Sequence, residues 1–237
     1  MAFPQLHGMR VAILVTDDFE QSELTQPKQA LEEAGARVFI VSPKSGEIQG
    51  MNHDEKADRF PVDQSLAEAI PEQFDAAVLP GGALNADALR AVPEAKAFVS
   101  AMDQSEKPIA VICHGPWLLV SAGLVSGRKM TSYHTIQDDV RNAGGNWVDE
   151  EVVVDGNFVT SRKPDDIPAF NREMILLFGH MAPGKIDEET FTPRKRRKRR
   201  ILSFTRKRRA HGENLQICSF TGFFENCIYA LDICRCI

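Results

Sequence analysis

Cysteine is almost missing from the first 193 residues. Cys113 stands alone there, while Cys218, Cys227, Cys234 and Cys236 crowd the end of the 237-residue chain. That spacing excludes a disulfide framework for the larger part. Long apolar runs are missing too: no stretch approaches the roughly 18 residues that cross a bilayer, so no membrane partner is expected. The opening MAFPQLHGMR lacks a charged start followed by an apolar stretch. No secretory signal is therefore expected, and the cytoplasm is the default address. There is no internal repeat and no phosphate loop. Gly81 and Gly82 lack the further glycines of a dinucleotide fingerprint. His7, His53 and His180 show no ligand spacing, so neither a metal nor a cofactor is expected in the main part.

What is present is a chain 43% hydrophobic with net charge -5, enough to bury one α/β-sized core. The charge is unevenly placed. Of 28 Lys and Arg and 33 Asp and Glu, 12 and 3 respectively lie from Arg194 onward. An acidic part, residues 1–193, therefore meets a basic one, residues 194–237. The tail carries RKRRKRR from Arg194 and RKRR from Arg206, then a stretch with no defensible helical or strand period. Three readings of it stay open: a non-native or unstructured extension, a basic arm for nucleic acid or nuclear import, and zinc binding through Cys234, Cys236 and the two earlier cysteines.

Through the first part, strands alternate with helices. RVAILV from Arg10, RVFIVS from Arg37, DAAVLPGG from Asp75 and PIAVIC from Pro108 read as strands. Helical spacing follows from Leu24, from Val92, from Gly115, from Thr135 and from Pro164. A polar hairpin or loop is expected between Gly46 and Asp63, and a short strand at KMTSY. A hairpin from Trp147 to Arg162 is expected around Asp155 and Gly156. Such alternation implies crossovers and a mainly parallel sheet covered on both faces. Ligands bind such sheets at the carboxyl ends of the strands, where LPGG and ICHG both terminate.

The stretch AVICHGPWLL places Cys113 on the turn between a strand and a helix. A side chain there is thrust out of the sheet at the cost of a strained backbone. The helix start favours a thiolate, and the next backbone N–H, that of His114, points where an oxyanion would form. Gly115 would let helix and strand approach closely. A buried structural cysteine is the plain alternative.

AVICHGPWLL, LPGG, DDFEQSELTQP, RNAGGNWVDEEVVVDGN and TSRKPDDIPAF occur together and in order. In this the chain resembles the PfpI family of intracellular-protease and deglycase-like proteins, within the class I glutamine-amidotransferase-like superfamily. The likeness runs from about Met9 to Phe178. It implies a flavodoxin-like three-layer α/β sandwich with a nucleophile elbow. It also implies Cys113 as nucleophile, Glu23 as the carboxyl group bonded to it, and His114 as general base or acid. Gly82 and His114 would supply the oxyanion-hole N–H groups. A neighbouring subunit's carboxylate would orient His114; in PGGALNADALR, one residue longer than the family pattern, Asp87 is the match. The site would then be complete only in a homodimer or larger oligomer.

Glu23 is expected to be protonated, since an ionised carboxylate would repel a thiolate. The thiol is expected below the free value of roughly 8.5. Asp17, Asp18 and Glu20 read as solvated loop carboxylates, although they lie close enough to compete with Glu23. His134 reads as a surface histidine or as part of the pocket lining. Trp117 and Trp147 read as core or interface aromatics. Three functions follow. One is a cofactor-independent cysteine enzyme acting on reactive carbonyl adducts, as a deglycase or glutathione-independent glyoxalase. The second is an intracellular cysteine peptidase, and the third a redox-sensing stress protein with an oxidisable Cys113.

Overall fold

The computed structural model describes residues 4–181. The expectations for residues 194–237 (basic arm, nucleic acid, zinc) lie outside the described residues. The elements run β1 (Arg10–Leu14), β2 (Phe19–Glu20), α1 (Gln21–Glu33), β3 (Arg37–Ser42), β4 (Glu47–Asn52), β5 (Glu55–Pro61) and β6 (Gln64–Ser65). Then come β7 (Ala76–Leu79), α2 (Ala83–Ala91), α3 (Pro93–Gln104), β8 (Ile109–Ile112), α4 (Pro116–Ser121) and β9 (Lys129–Met130). The series ends with α5 (Gln137–Asn142), β10 (Asn146–Trp147), β11 (Val152–Asp155), β12 (Phe158–Ser161) and α6 (Ile167–His180).

Seven strands form the central sheet in the order β11-β12-β8-β7-β1-β3-β6. All neighbours are parallel except β11 with β12. The inner strands read as unbroken apolar runs because both faces are covered. Every residue of β7, β8 and β12 is buried. On one face Val11, Ile13, Ala110 and Ile112 pack with Leu24 and Leu31 of α1 and with Phe170, Met174 and Phe178 of α6. On the other, Ala12, Leu14, Val111 and Phe158 meet Leu89 of α2, Phe98 and Met102 of α3, Leu118 of α4 and Val140 of α5. This is the flavodoxin-like three-layer α/β sandwich.

Two local features differ from the sequence reading. Helix α2 has no counterpart in it: the buried residues of ALNADALRA are Asn85, Ala86 and Leu89, so one large apolar side chain is all its stripe offers. Val92, extended at ψ 118, separates α2 from α3, as expected of a residue before proline. Trp147 is outside the hairpin; β10 pairs with β9 in a separate parallel ribbon. The hairpin itself joins β11 to β12 through Gly156 and Asn157, with Asp155 opposite Phe158. Gly156 adopts the left-handed φ of 64° that such a two-residue turn requires. The polar segment from Gly46 forms the antiparallel β4–β5 pair, and β2 adds beside β4.

Candidate active site

The carboxyl ends of β1, β7, β8 and β12 converge. Cys113 follows β8 directly and takes a left-handed φ of 61°, a conformation that costs a non-glycine residue on the order of 1 kcal/mol. Its backbone is pinned from both sides. Its N–H donates to the Ser161 carbonyl at 3.1 Å, and its own carbonyl accepts from Tyr133 N–H at 2.9 Å. The elbow is therefore held by β12 on one flank and by the segment after β9 on the other. Gly115 has no alternative here: a β-carbon would lie 2.6 Å from the Leu79 carbonyl oxygen and 3.0 Å from that of Ile112.

Three of the expected residues meet at the sulfur. Cys113 Sγ lies 3.2 Å from His114 Nδ1. Glu23, on the first turn of α1, is fully buried and hydrogen-bonds the thiol. Its Oε2 also accepts the Gly81 N–H at 2.7 Å, while Oε1 has no hydrogen-bond partner. Full ionisation would bury an unsatisfied charge, so burial raises the Glu23 pKa to about 8, against the opposing pull of the Gly81 N–H. Within the helix, Pro27 occupies the position that would donate to the Glu23 carbonyl and has no N–H to give.

The thiol departs from expectation. Cys113 is 6% exposed. Burial pushes its pKa up, a charged Glu23 pushes it further, and the N–H groups of Gly82 and His114 pull it down. The sulfur is thus not an exposed acidic thiolate in the single chain. Burial pushes both the carboxyl and the thiol toward their protonated forms, and the two titrate as a pair. The backbone donors expected of Gly82 and His114 are both aimed at this sulfur.

His114 is half-buried and wedged among rings, stacked on Tyr133 at 4.8 Å and tilted against Trp117 at 5.4 Å. Its Nε2 lies 3.3 Å from Thr135 Oγ1. Burial, and then the neighbouring His134, lower its pKa, which keeps the imidazole neutral. His134 is exposed and packs at 4.5 Å against Tyr133. Asp87 is not brought to the site; it lies exposed on α2. Glu20 receives Ser22 Oγ–H and the His53 N–H, and Asp17 pairs with Lys44 and receives the Gln49 N–H. Neither replaces Glu23 at the sulfur. A polar cavity of about 220 Å³ lies by Asp17, Asp18, Lys44, Glu47 and Arg59 and includes neither Cys113 nor His114. Its walls pair Asp17 with Lys44 and Glu47 with Arg59, so we read it as a solvated ionic surface. Trp117 donates to Asp139 and Trp147 to Ser132, at 2.8 and 2.9 Å, which makes both structural aromatics.

Sequence reasoning missed Tyr133, Thr135 and Asn85. The first two follow a strand of only two residues. Asn85 is fully buried at the third helical position of α2. An asparagine just past a glycine turn at a helix start is the signal that could have found it.

Comparison with known proteins gives the family. The model of the DJ-1/PfpI family matches residues 9–177. A deglycase of Thermococcus kodakarensis is 46% identical over 169 residues, covering 71% of this chain and 99% of its own. A Bacillus subtilis protein, YraA, whose name assigns it provisionally to the cysteine proteases, is 42% identical over 168 residues, covering 71% and 97%. Among solved structures, DJ-1beta of Drosophila melanogaster superposes with a TM-score of 0.63 at 26% identity, covering 73% of this chain and 89% of that one. With a buried acid, an elbow cysteine and its histidine in one place, the chain belongs to the DJ-1/PfpI family.

Proposed function

We propose that this protein is a cofactor-independent cysteine enzyme that acts on reactive carbonyl adducts, as a deglycase or glutathione-independent glyoxalase in stress response. The observation that carries this reading is Cys113 on a strained elbow, its sulfur 3.2 Å from His114 Nδ1 and beside the buried Glu23 that the Gly81 N–H holds in place. The deglycase name of the Thermococcus relative supports it.

With its proton on Glu23, the sulfur adds to an aldehyde carbon. The carbonyl oxygen becomes an oxyanion facing the N–H groups of Gly82 and His114, then takes the proton held by Glu23 to give a hemithioacetal. With a glycated amine, sulfur displaces the amine from the carbinol carbon and the amine leaves protonated. In either route His114, neutral near pH 7, removes the C–H proton from the hemithioacetal carbon, and the neighbouring carbonyl carbon receives one. The resulting lactoyl thioester is hydrolysed by water, returning the thiol.

The cysteine peptidase reading rests on the same nucleophile and on the name of the Bacillus relative. The sensor reading rests on Cys113 alone. A homo-oligomer completes the site in our reading. Asp87 sits on an α2 face with Leu84, which is 66% exposed, and a second copy covering that face would bring a carboxylate to His114. The cytoplasm is the proposed location.

Lactate release from methylglyoxal without glutathione, lost in Cys113→Ala, is the expected result. Peptide cleavage lost in the same variant, with no lactate, would transfer the assignment to the peptidase. Stable, selective peroxide oxidation of Cys113 with no turnover on either substrate would favour the sensor.

A further inference from the structure

Asn85 makes three hydrogen bonds, and together they control two consecutive peptide planes. Its Oδ1 accepts the Thr16 N–H at 2.8 Å, just beyond β1. Its Nδ2 donates to the Pro80 carbonyl at 3.2 Å and to the Gly81 carbonyl at 2.9 Å. One acceptor bond and both donor bonds of the amide are therefore used, at a residue with no exposed surface.

A trans peptide is planar, with its C=O and N–H pointing in opposite directions. Holding the Pro80 carbonyl on Nδ2 turns the Gly81 N–H away from Asn85, and that N–H is the one on Glu23 Oε2 at 2.7 Å. Holding the Gly81 carbonyl turns the Gly82 N–H away in the same manner, and that N–H is the one on the Cys113 sulfur. The peptide between two glycines has little steric resistance to flipping. Gly82 sits at φ 84°, a conformation that selects glycine and leaves the turn soft. Something outside the turn must fix it.

We infer that Asn85 is a positioning residue: its side-chain amide locks the Pro80–Gly81 and Gly81–Gly82 peptides so that one N–H serves the acid and the next serves the sulfur. Its oxygen anchors the clamp to β1, which makes the turn part of the sheet. The inference rests on the cysteine-enzyme reading only for its effect on turnover; its effect on the thiol is independent of which substrate is used.

The test compares Asn85→Ala and Asn85→Asp with Asn157→Ala. Asn157 is also a buried amide, donating to Asp103 Oδ1 and to the Lys107 carbonyl far from the sulfur. Asp at 85 keeps the acceptor for Thr16 and loses the donors. Iodoacetamide labelling of Cys113 across pH is expected to shift upward by about one pH unit in both Asn85 variants, because the thiolate loses a donor. Turnover should fall on the order of 10²- to 10³-fold with KM nearly unchanged, as for one lost oxyanion donor. Asn157→Ala should lower Tm and leave both readouts at wild type. Labelling shifts without the turnover loss keep the clamp and reject the enzymatic reading. Asn85 variants that lose only Tm, with a wild-type labelling profile, would overturn the inference. Should neither variant fold, NMR of the intact wild-type chain decides. Couplings across the hydrogen bonds from the Asn85 side-chain amide to the carbonyls of residues 80 and 81 are expected, and fast exchange of that amide with no such coupling overturns the clamp.

Discussion

Glu23 and Cys113 press on the same glycine from two elements far apart in sequence. A β-carbon at Gly81 would lie 2.5 Å from Glu23 Oε2 and 3.0 Å from Cys113 Sγ. With a bare backbone between them, the carboxyl and the thiol approach each other while the Gly81 N–H holds the carboxyl in place.

That pairing sets the pH response of stability. The folded Glu23 pKa, about 8, stands above its ordinary value of 4.5 because burial disfavours the charged form. The stabilising contribution is thus fully present below about pH 4.5 and is lost as pH rises through about 8. Denaturant unfolding should show wild type losing a few kcal/mol across that window. Glu23→Gln, which cannot ionise, should flatten the loss. Coincident slopes for the two proteins would place the charge elsewhere. Labelling of the thiol should move to lower pH in Glu23→Gln, which removes the charge that pushes the thiol up.

The strained elbow yields a second prediction. Among the described residues, Cys113 at φ 61° is one of four non-glycine residues with positive φ, the others being Asp18, His53 and Glu106. Cys113→Gly and Cys113→Ala should both abolish turnover. The glycine variant should nevertheless be the more stable of the two, by about 1 kcal/mol, since glycine adopts this backbone without a steric penalty. Equal unfolding midpoints would mean the turn stores no strain.

His134 tunes its neighbour from one ring away. Its charge, after burial, lowers the His114 pKa. His134→Ala should therefore raise the His114 pKa, and the acidic limb of the pH profile of kcat/KM should move to higher pH with its plateau little changed. An unmoved acidic limb would show that His114 is not the base titrating there.

Much of the fold was legible in the sequence because its signals are local. The apolar runs at Arg10, Arg37, Asp75 and Pro108 became β1, β3, β7 and β8, since strands covered on both faces need no polar alternation. The elbow at Cys113 was legible from AVICHG, where strand, turn and helix start follow one another. Helix α2 was not legible, because its inward face carries an asparagine and small residues in place of an apolar stripe. The burial of the thiol was not legible either. Sequence spacing says that Cys113 sits at a turn, whereas its exposure depends on how α1 and the turns after β7 and β9 close over it.

By itself the sequence determined the central strands, most of the helices and the turn that carries Cys113; the acid at position 23 came from the resemblance. The tertiary structure alone decided which proton-bearing groups face each other. Periodicity and turn chemistry act within a few residues. The Glu23–Gly81 bond and the Asn85–Thr16 bond span 58 and 69 residues, and they form only after hydrophobic burial has brought β1, β7 and β8 side by side.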